Sequence, residues 1–154
     1  MARGLYLLGL CVLLVAAPAR AEDPTGLWWA EGGSAQVEID RCGGALCGRV
    51  VWLRSPLDEG GCALRDVENP DPMLRGRGIM GVELLRGVRR SVAAPDEWIG
   101  GEIYDPTSGR TYDAVLRMDG PDRLRLRGYL GIRLLGRTTT WNRVGAAPRC
   151  EGGI

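Results

Sequence analysis

From Glu22 onward, apolar and polar side chains alternate over short windows that end in clusters of Gly, Pro, Asn or Asp. A repeat of two marks a strand with one buried face, whereas a helix would repeat every 3.6 residues, and no stretch here supports a long helix. The windows predict strands over residues 26–31, 35–41, 47–54, 79–85, 97–104, 111–118, 123–130 and 135–144. About eight short strands separated by turn residues predict an all-β fold, an antiparallel barrel or sandwich.

The clearest predicted pair flanks Asp119-Gly120-Pro121-Asp122, with Tyr112, Ala114, Leu116 and Met118 on one face of the first strand. On the second strand Leu124 and Leu126 alternate with Arg123, Arg125 and Arg127. Both apolar sets must face the same side, so partner numbers add up to 240 or 242, because an odd sum would turn leucines toward arginines. Either register sets Arg117 opposite or beside another Arg, a cost of a few tenths of a kcal/mol unless a carboxylate such as Asp113 intervenes. The alternation fails over residues 55–78, a long acidic loop rich in turn formers, and again over 87–96, which reads as a second irregular connection. Loops as long as the first are uncommon in compact domains and often carry function.

Composition narrows the chemistry. The 154-residue chain has no His, and all 20 of its basic residues are Arg, so imidazole bases, Schiff-base lysines and a P-loop lysine are excluded. Residues 1–21 read as a cleaved secretory signal peptide: Arg3, an apolar run of about 14 residues, then Ala19-Arg20-Ala21 before Glu22. That run is shorter than the roughly 20 residues a spanning helix needs, so the chain is not expected to cross a membrane. What remains, residues 22–154, is a single domain of one core's size with 18 basic and 19 acidic groups, a balance that predicts no nucleic-acid partner.

Cys42, Cys47, Cys62 and Cys150 remain after cleavage, an even number that reads as two disulfides in an exported protein. Of the three possible connectivities, one ranks first: Cys42 and Cys47 bracket Gly43-Gly44-Ala45-Leu46 between two strands, where a tight hairpin could bring their Cα atoms to bridging distance, and Cys62 would then be left to pair with Cys150. The spacings are not paired CxxC knuckles, so no zinc site is expected, and no other cofactor is implied.

Gly26-Leu27-Trp28 resembles the G-x-W that opens the first strand of lipocalins and other calycins. The resemblance implies that Trp28 closes one end of a barrel under a basic side chain from the last strand, for which Arg143 is the candidate. Cys42-Gly43, Leu46-Cys47-Gly48, Asn69-Pro70-Asp71-Pro72, Gly100-Gly101-Glu102-Ile103-Tyr104-Asp105-Pro106 and Arg127-Gly128-Tyr129 are, in that order, similar to a family of small exported bacterial proteins known only as domain of unknown function 2147. That resemblance implies an antiparallel calycin-like β-barrel from the periplasm or secretome of a Gram-negative bacterium, and it implies no reaction.

Candidate site residues follow from this frame. Trp52, Trp98, Tyr104 and Tyr112 are the aromatic bodies expected to line a ligand site inside the barrel or at its mouth, under the acidic loop. Asp58, Asp66 and Asp71 are oxygen donors of the type that hold calcium, but their spacing is not that of a calcium loop, and turn capping by Asp66 and Asn69 is the plainer role. Glu97, Glu102 and Asp105 are near enough in sequence for acid and base work, yet enzyme activity is disfavoured without His or Lys. Gly100-Gly101 marks a bulge or a close backbone approach. The expected function is binding of a small hydrophobic or amphipathic ligand; the alternative is an envelope interaction module with a packed interior, and a carboxylate hydrolase ranks third.

Overall fold

The structure, a computed structural model, describes residues 22–145; the expected signal peptide and Cys150 lie outside them. Eight antiparallel strands in chain order close into a barrel: β1 (Gly26–Trp29), β2 (Ala35–Cys42), β3 (Ala45–Leu53), β4 (Glu83–Arg90), β5 (Glu97–Asp105), β6 (Arg110–Met118), β7 (Arg123–Tyr129) and β8 (Arg137–Arg143). Among the described residues no helix is long and apolar enough to cross a membrane.

Alternation decides which side chains point inward. Trp28 faces Val37, Val37 faces Val50, Leu116 faces Leu126 and Leu124 faces Trp141, and all of these are buried. Together with Ile39, Leu46, Leu85, Val88, Trp98, Ala114 and Met118 they form one continuous core that fills the barrel end at which β1 starts and β8 finishes. Met118 opposes Leu124, the register whose partners add up to 242. Arg117 therefore lies directly opposite Arg125. The relieving carboxylates are not Asp113, which faces Glu102 and Tyr129, but Asp96, 2.8 Å from Arg117, and Asp119, 3.2 Å from Arg125.

The β2–β3 hairpin turns on Gly43 and Gly44, both at positive φ, as a two-residue hairpin turn requires. Just beyond the turn Cys42 and Cys47 are bridged, with Cα atoms 6.0 Å apart. Cys62 is exposed and unbridged among the described residues.

Two expectations are corrected. Strand β4 occupies Glu83–Arg90, not residues 79–85, so part of the expected connection over 87–96 is strand. The physical reason is that the pairing of β3 with β4 shifts register twice, once on each side of Gly48, and Gly87 sits at positive φ. Each extra residue resets which side chain faces inward, so Leu85 and Val88 share a face and the alternation disappears. Strand β8 starts at Arg137 rather than at Leu135, because Arg133–Leu135 forms a single 3-10 turn.

Gly100 and Gly101 lie at the register shift between β5 and β6. Gly100 is at positive φ, and a Cβ on Gly101 would run into the backbone of Arg86 and Val88 in the neighbouring strand. Gly101→Ala is therefore expected to cost about 1–3 kcal/mol through displaced backbone, read as a lower urea midpoint at unchanged slope; an unaltered midpoint would mean that β4 yields freely.

Candidate functional site

The filled end is sealed by one side chain. Arg143 is the register partner of Trp28 across the β1–β8 seam, and its guanidinium carbon lies 4.2 Å from the centre of the Trp28 rings. The same guanidinium donates to the carbonyls of Pro121 at 2.8 Å, Thr25 at 2.8 Å and Asp23 at 3.0 Å. Trp28 Nε1 donates to the Pro24 carbonyl at 2.7 Å, so its polar atom is satisfied although the residue is fully buried. Gly26 is glycine for two reasons: its φ is +118°, and a Cβ would stand 2.8 Å from an Arg143 nitrogen. Asp23 continues the seal outward through a 2.6 Å ion pair with Arg41.

The four aromatic candidates are not gathered in one place. Trp98 points inward within the filled end, beneath the guanidinium of Arg90 at 4.9 Å. Trp52 pairs with Gln36, on the face opposite Trp28, and meets Trp29 edge to face at 5.2 Å on the outside of the barrel, 39% exposed. Tyr104 pairs with Thr111 and, one position on from the inward pair Ile103 and Tyr112, points outward. It is nevertheless buried, because the acidic loop covers it. Tyr112 alone of the four faces inward at the open end of the barrel, where it is half-buried.

The cover over Tyr104 is a buried polar cluster. Asp66, fully buried, accepts from the Tyr104 hydroxyl at 2.6 Å, from Asn69 Nδ2 at 2.8 Å and from Arg77, whose Nε and terminal nitrogen stand 2.9 and 2.7 Å away. Burial pushes the Asp66 carboxyl up, but these donors outweigh it and hold the group below its ordinary value. Burial first, and then the Asp66 charge, push the Tyr104 hydroxyl up to about 12. The loop also leans on the β5–β6 turn, where a Cβ on Gly109 would collide with the backbone of Glu68. It is thus fastened to the outer wall near the open end. Asn69 and Arg77 complete a cluster whose members are separated in sequence by up to 38 residues, with no local spacing to reveal it.

The other acids are engaged singly. Asp58 accepts from the backbone of Gly60 and Cys62, and Asp71 from that of Met73, so both cap turns. Glu97 pairs with Arg133 at 2.7 Å, while Glu102 and Asp105 stand toward the opposite end of β5. Among the described residues no three acids or cysteines are grouped to hold a metal ion. A shallow groove of about 190 Å³ beside the disulfide, bounded by Glu38, Asp40, Arg49 and Glu83, contains none of the aromatic candidates.

At the open end, Ile103 and Tyr112 are joined by Gly128, which offers no side chain to the interior: a Cβ there would stand 3.5 Å from both. Ala30 is likewise half-buried against the core, and Ala35 pairs with Leu53 on the inward face. The barrel is solid at one end and lined with partly exposed apolar groups at the other.

The model of a family described as "Uncharacterized protein conserved in bacteria", domain of unknown function 2147, matches residues 26–143. The chain belongs to this family. The matched span begins at Gly26 and ends at Arg143, the two sides of the seal over Trp28. Among solved structures, protein HP1028 from the human pathogen Helicobacter pylori, described as belonging to the lipocalin family, is similar over 80% of this chain and 84% of its own, at 23% identity and a TM-score of 0.68. That likeness, with the closed eight-stranded barrel, establishes the all-β, calycin-like fold of this member of family 2147. No curated protein matches the chain.

Two predictions follow from the seal and the cluster. Trp28→Ala is expected to cost about 3–5 kcal/mol, measured by urea unfolding; a loss under about 1 kcal/mol would show that Trp28 does not hold the end closed. Asp66→Asn is expected to cost about 1–3 kcal/mol at pH 7. Because the folded pKa of Asp66 is lowered, its contribution is present above the unfolded value of about 3.9 and fades as pH falls below it. The gap in urea midpoint between wild type and Asp66→Asn should therefore narrow between pH 7 and pH 3; a constant gap would refute the ionised pairing.

Proposed function

We propose that this family 2147 member is an exported barrel that takes the apolar end of a small amphipathic molecule at its open mouth. The carrying observation is the division of the interior. Three tryptophans and a continuous aliphatic core occupy the sealed end, while at the other Ile103 and Tyr112 meet over the bare backbone of Gly128 and are only half-buried. A ligand here would bury only its tip, and its polar part would stay in water at the rim. The lipocalin likeness supports the reading at the level of fold alone. Export to the periplasm or medium of a Gram-negative cell is supported by the leader-like residues 1–21 and by the Cys42–Cys47 disulfide, which persists in oxidising compartments. The filled end favours a second reading, an envelope interaction or structural module that holds no small molecule.

Native mass spectrometry of the protein purified from its own compartment separates the two. The expected result is an added mass, lost on denaturation, that is absent from Ile103→Asp while the variant stays folded by circular dichroism. A wild-type chain that flies bare would overturn mouth binding in favour of the packed module.

A further inference from the structure

The connection from β7 to β8 presents Leu130, Ile132, Leu134 and Leu135 to solvent at 62, 61, 83 and 80% exposure. Contiguous apolar surface of this kind is unusual on a soluble domain and marks an interaction site. The segment is not loose. Arg127, on the outward face of β7, donates through Nε to the Arg133 carbonyl at 2.8 Å and through a terminal nitrogen to the Leu134 carbonyl at 2.9 Å. Its remaining terminal nitrogen donates to the Thr138 hydroxyl at 2.7 Å. Arg133 is anchored in turn on Glu97 at 2.7 Å. A Cβ at Gly136 would meet the Gly128 carbonyl at 2.6 Å and the Tyr129 Cβ at 2.7 Å, so the returning chain lies tight against β7. The 3-10 turn is thereby pinned to the barrel wall by its backbone, and its leucines are held outward with no way to fold in.

We propose that this knuckle docks into the headgroup region of an anionic lipid bilayer. Two observations select that occupant. First, the knuckle exposes only four apolar side chains within six residues, far fewer than the roughly 20–30 residues a side that a stable protein pair buries. A tip can bury all of its area in a bilayer, which closes around it. Second, the base of the tip is cationic. Arg127 has hydrogen-bond partners in carbonyls and a hydroxyl but no carboxylate among the described residues, so its charge is not neutralised, and only three of its five N–H groups are used. A guanidinium that anchors a turn of exposed leucine and isoleucine side chains matches lipid phosphates above acyl chains. The inference is independent of the mouth: neither Ile103 nor Tyr112 takes part.

The test is cosedimentation of the protein with vesicles of zwitterionic lipid and with vesicles in which about a third of the lipid is phosphatidylglycerol. Wild type and Leu134→Asp/Leu135→Asp are compared in the same processed form. Wild type should bind the anionic vesicles, more weakly as salt is raised, and the double variant should lose at least about tenfold in partitioning. Both leucines are exposed, so the variant should keep the wild-type melting temperature, and Ile103→Asp should bind vesicles like wild type. Equal partitioning of wild type and the double variant, or no partitioning by either, would overturn the proposal. So would a concentration-dependent dimer that the double variant abolishes without any vesicle binding, since the knuckle would then meet a second copy of the chain.

Discussion

The barrel depends on the contact between Arg143 and Trp28. The seam that closes the sheet is short: β1 and β8 share only the pairs Trp28–Arg143 and Trp29–Asn142. Two rungs are little to hold a cylinder shut, and a bare sheet edge there would leave backbone groups unpaired. Arg143 adds what the rungs lack. One guanidinium covers the indole and donates to the carbonyls of Asp23, Thr25 and Pro121, which ties the N-terminal segment, the first strand, the β6–β7 turn and the last strand to a single planar group. A lysine could not do this, because it lacks the fork of donors around a flat cation. In a chain whose basic residues are all Arg, the choice is also the one the composition permits.

The seal in turn divides the barrel. With Trp28, Trp98 and Trp141 buried at one end, the sealed half is packed like any protein core and offers no entry from that side. The acidic loop does not fill the other half. Its buried acid, Asp66, is bound to Tyr104 on the outer wall and to Arg77 within the loop itself, so the long connection is held beside the rim. The desolvation of a carboxylate is tolerated because both of its oxygens meet donors, and no buried side-chain polar atom among the described residues is left without a partner.

How far the sequence could be read was set by distance along the chain. Windows with unbroken alternation, such as those of β6 and β7, contain their own register, since a one-residue slip would bury arginines. The disulfide between Cys42 and Cys47 was readable because its loop is short and its turn is Gly-Gly. Strand β4 was not, because two bulges erase the period that defines a strand. The Tyr104 cluster was not either: Tyr104, expected to line a ligand site, turns outward, and its partners Asp66 and Asn69 come from a loop more than 30 residues upstream. Trp52 and Trp98 carry the same side chain to opposite sides of the wall, a distinction set by the bulge in β3 and by the inward register of β5 with β6, not by anything local to either residue.

The same logic explains why arginine serves such different ends here. Arg143 works through its face and its fork together, Arg77 neutralises a buried carboxylate, and Arg127 uses its donors on two backbone carbonyls and the Thr138 hydroxyl. Unlike Arg77, Arg127 has no carboxylate partner among the described residues, and unlike Arg143 it covers no indole. Using a strong cation to hold two carbonyls that water would satisfy equally well gains little stability. What the arrangement does accomplish is to fix four apolar side chains in the solvent with a positive charge behind them. A fold under selection for solubility alone would tuck such leucines against the wall or replace them with polar residues. Their fixed exposure is therefore better accounted for by a surface that the knuckle meets than by the packing of the barrel that bears it.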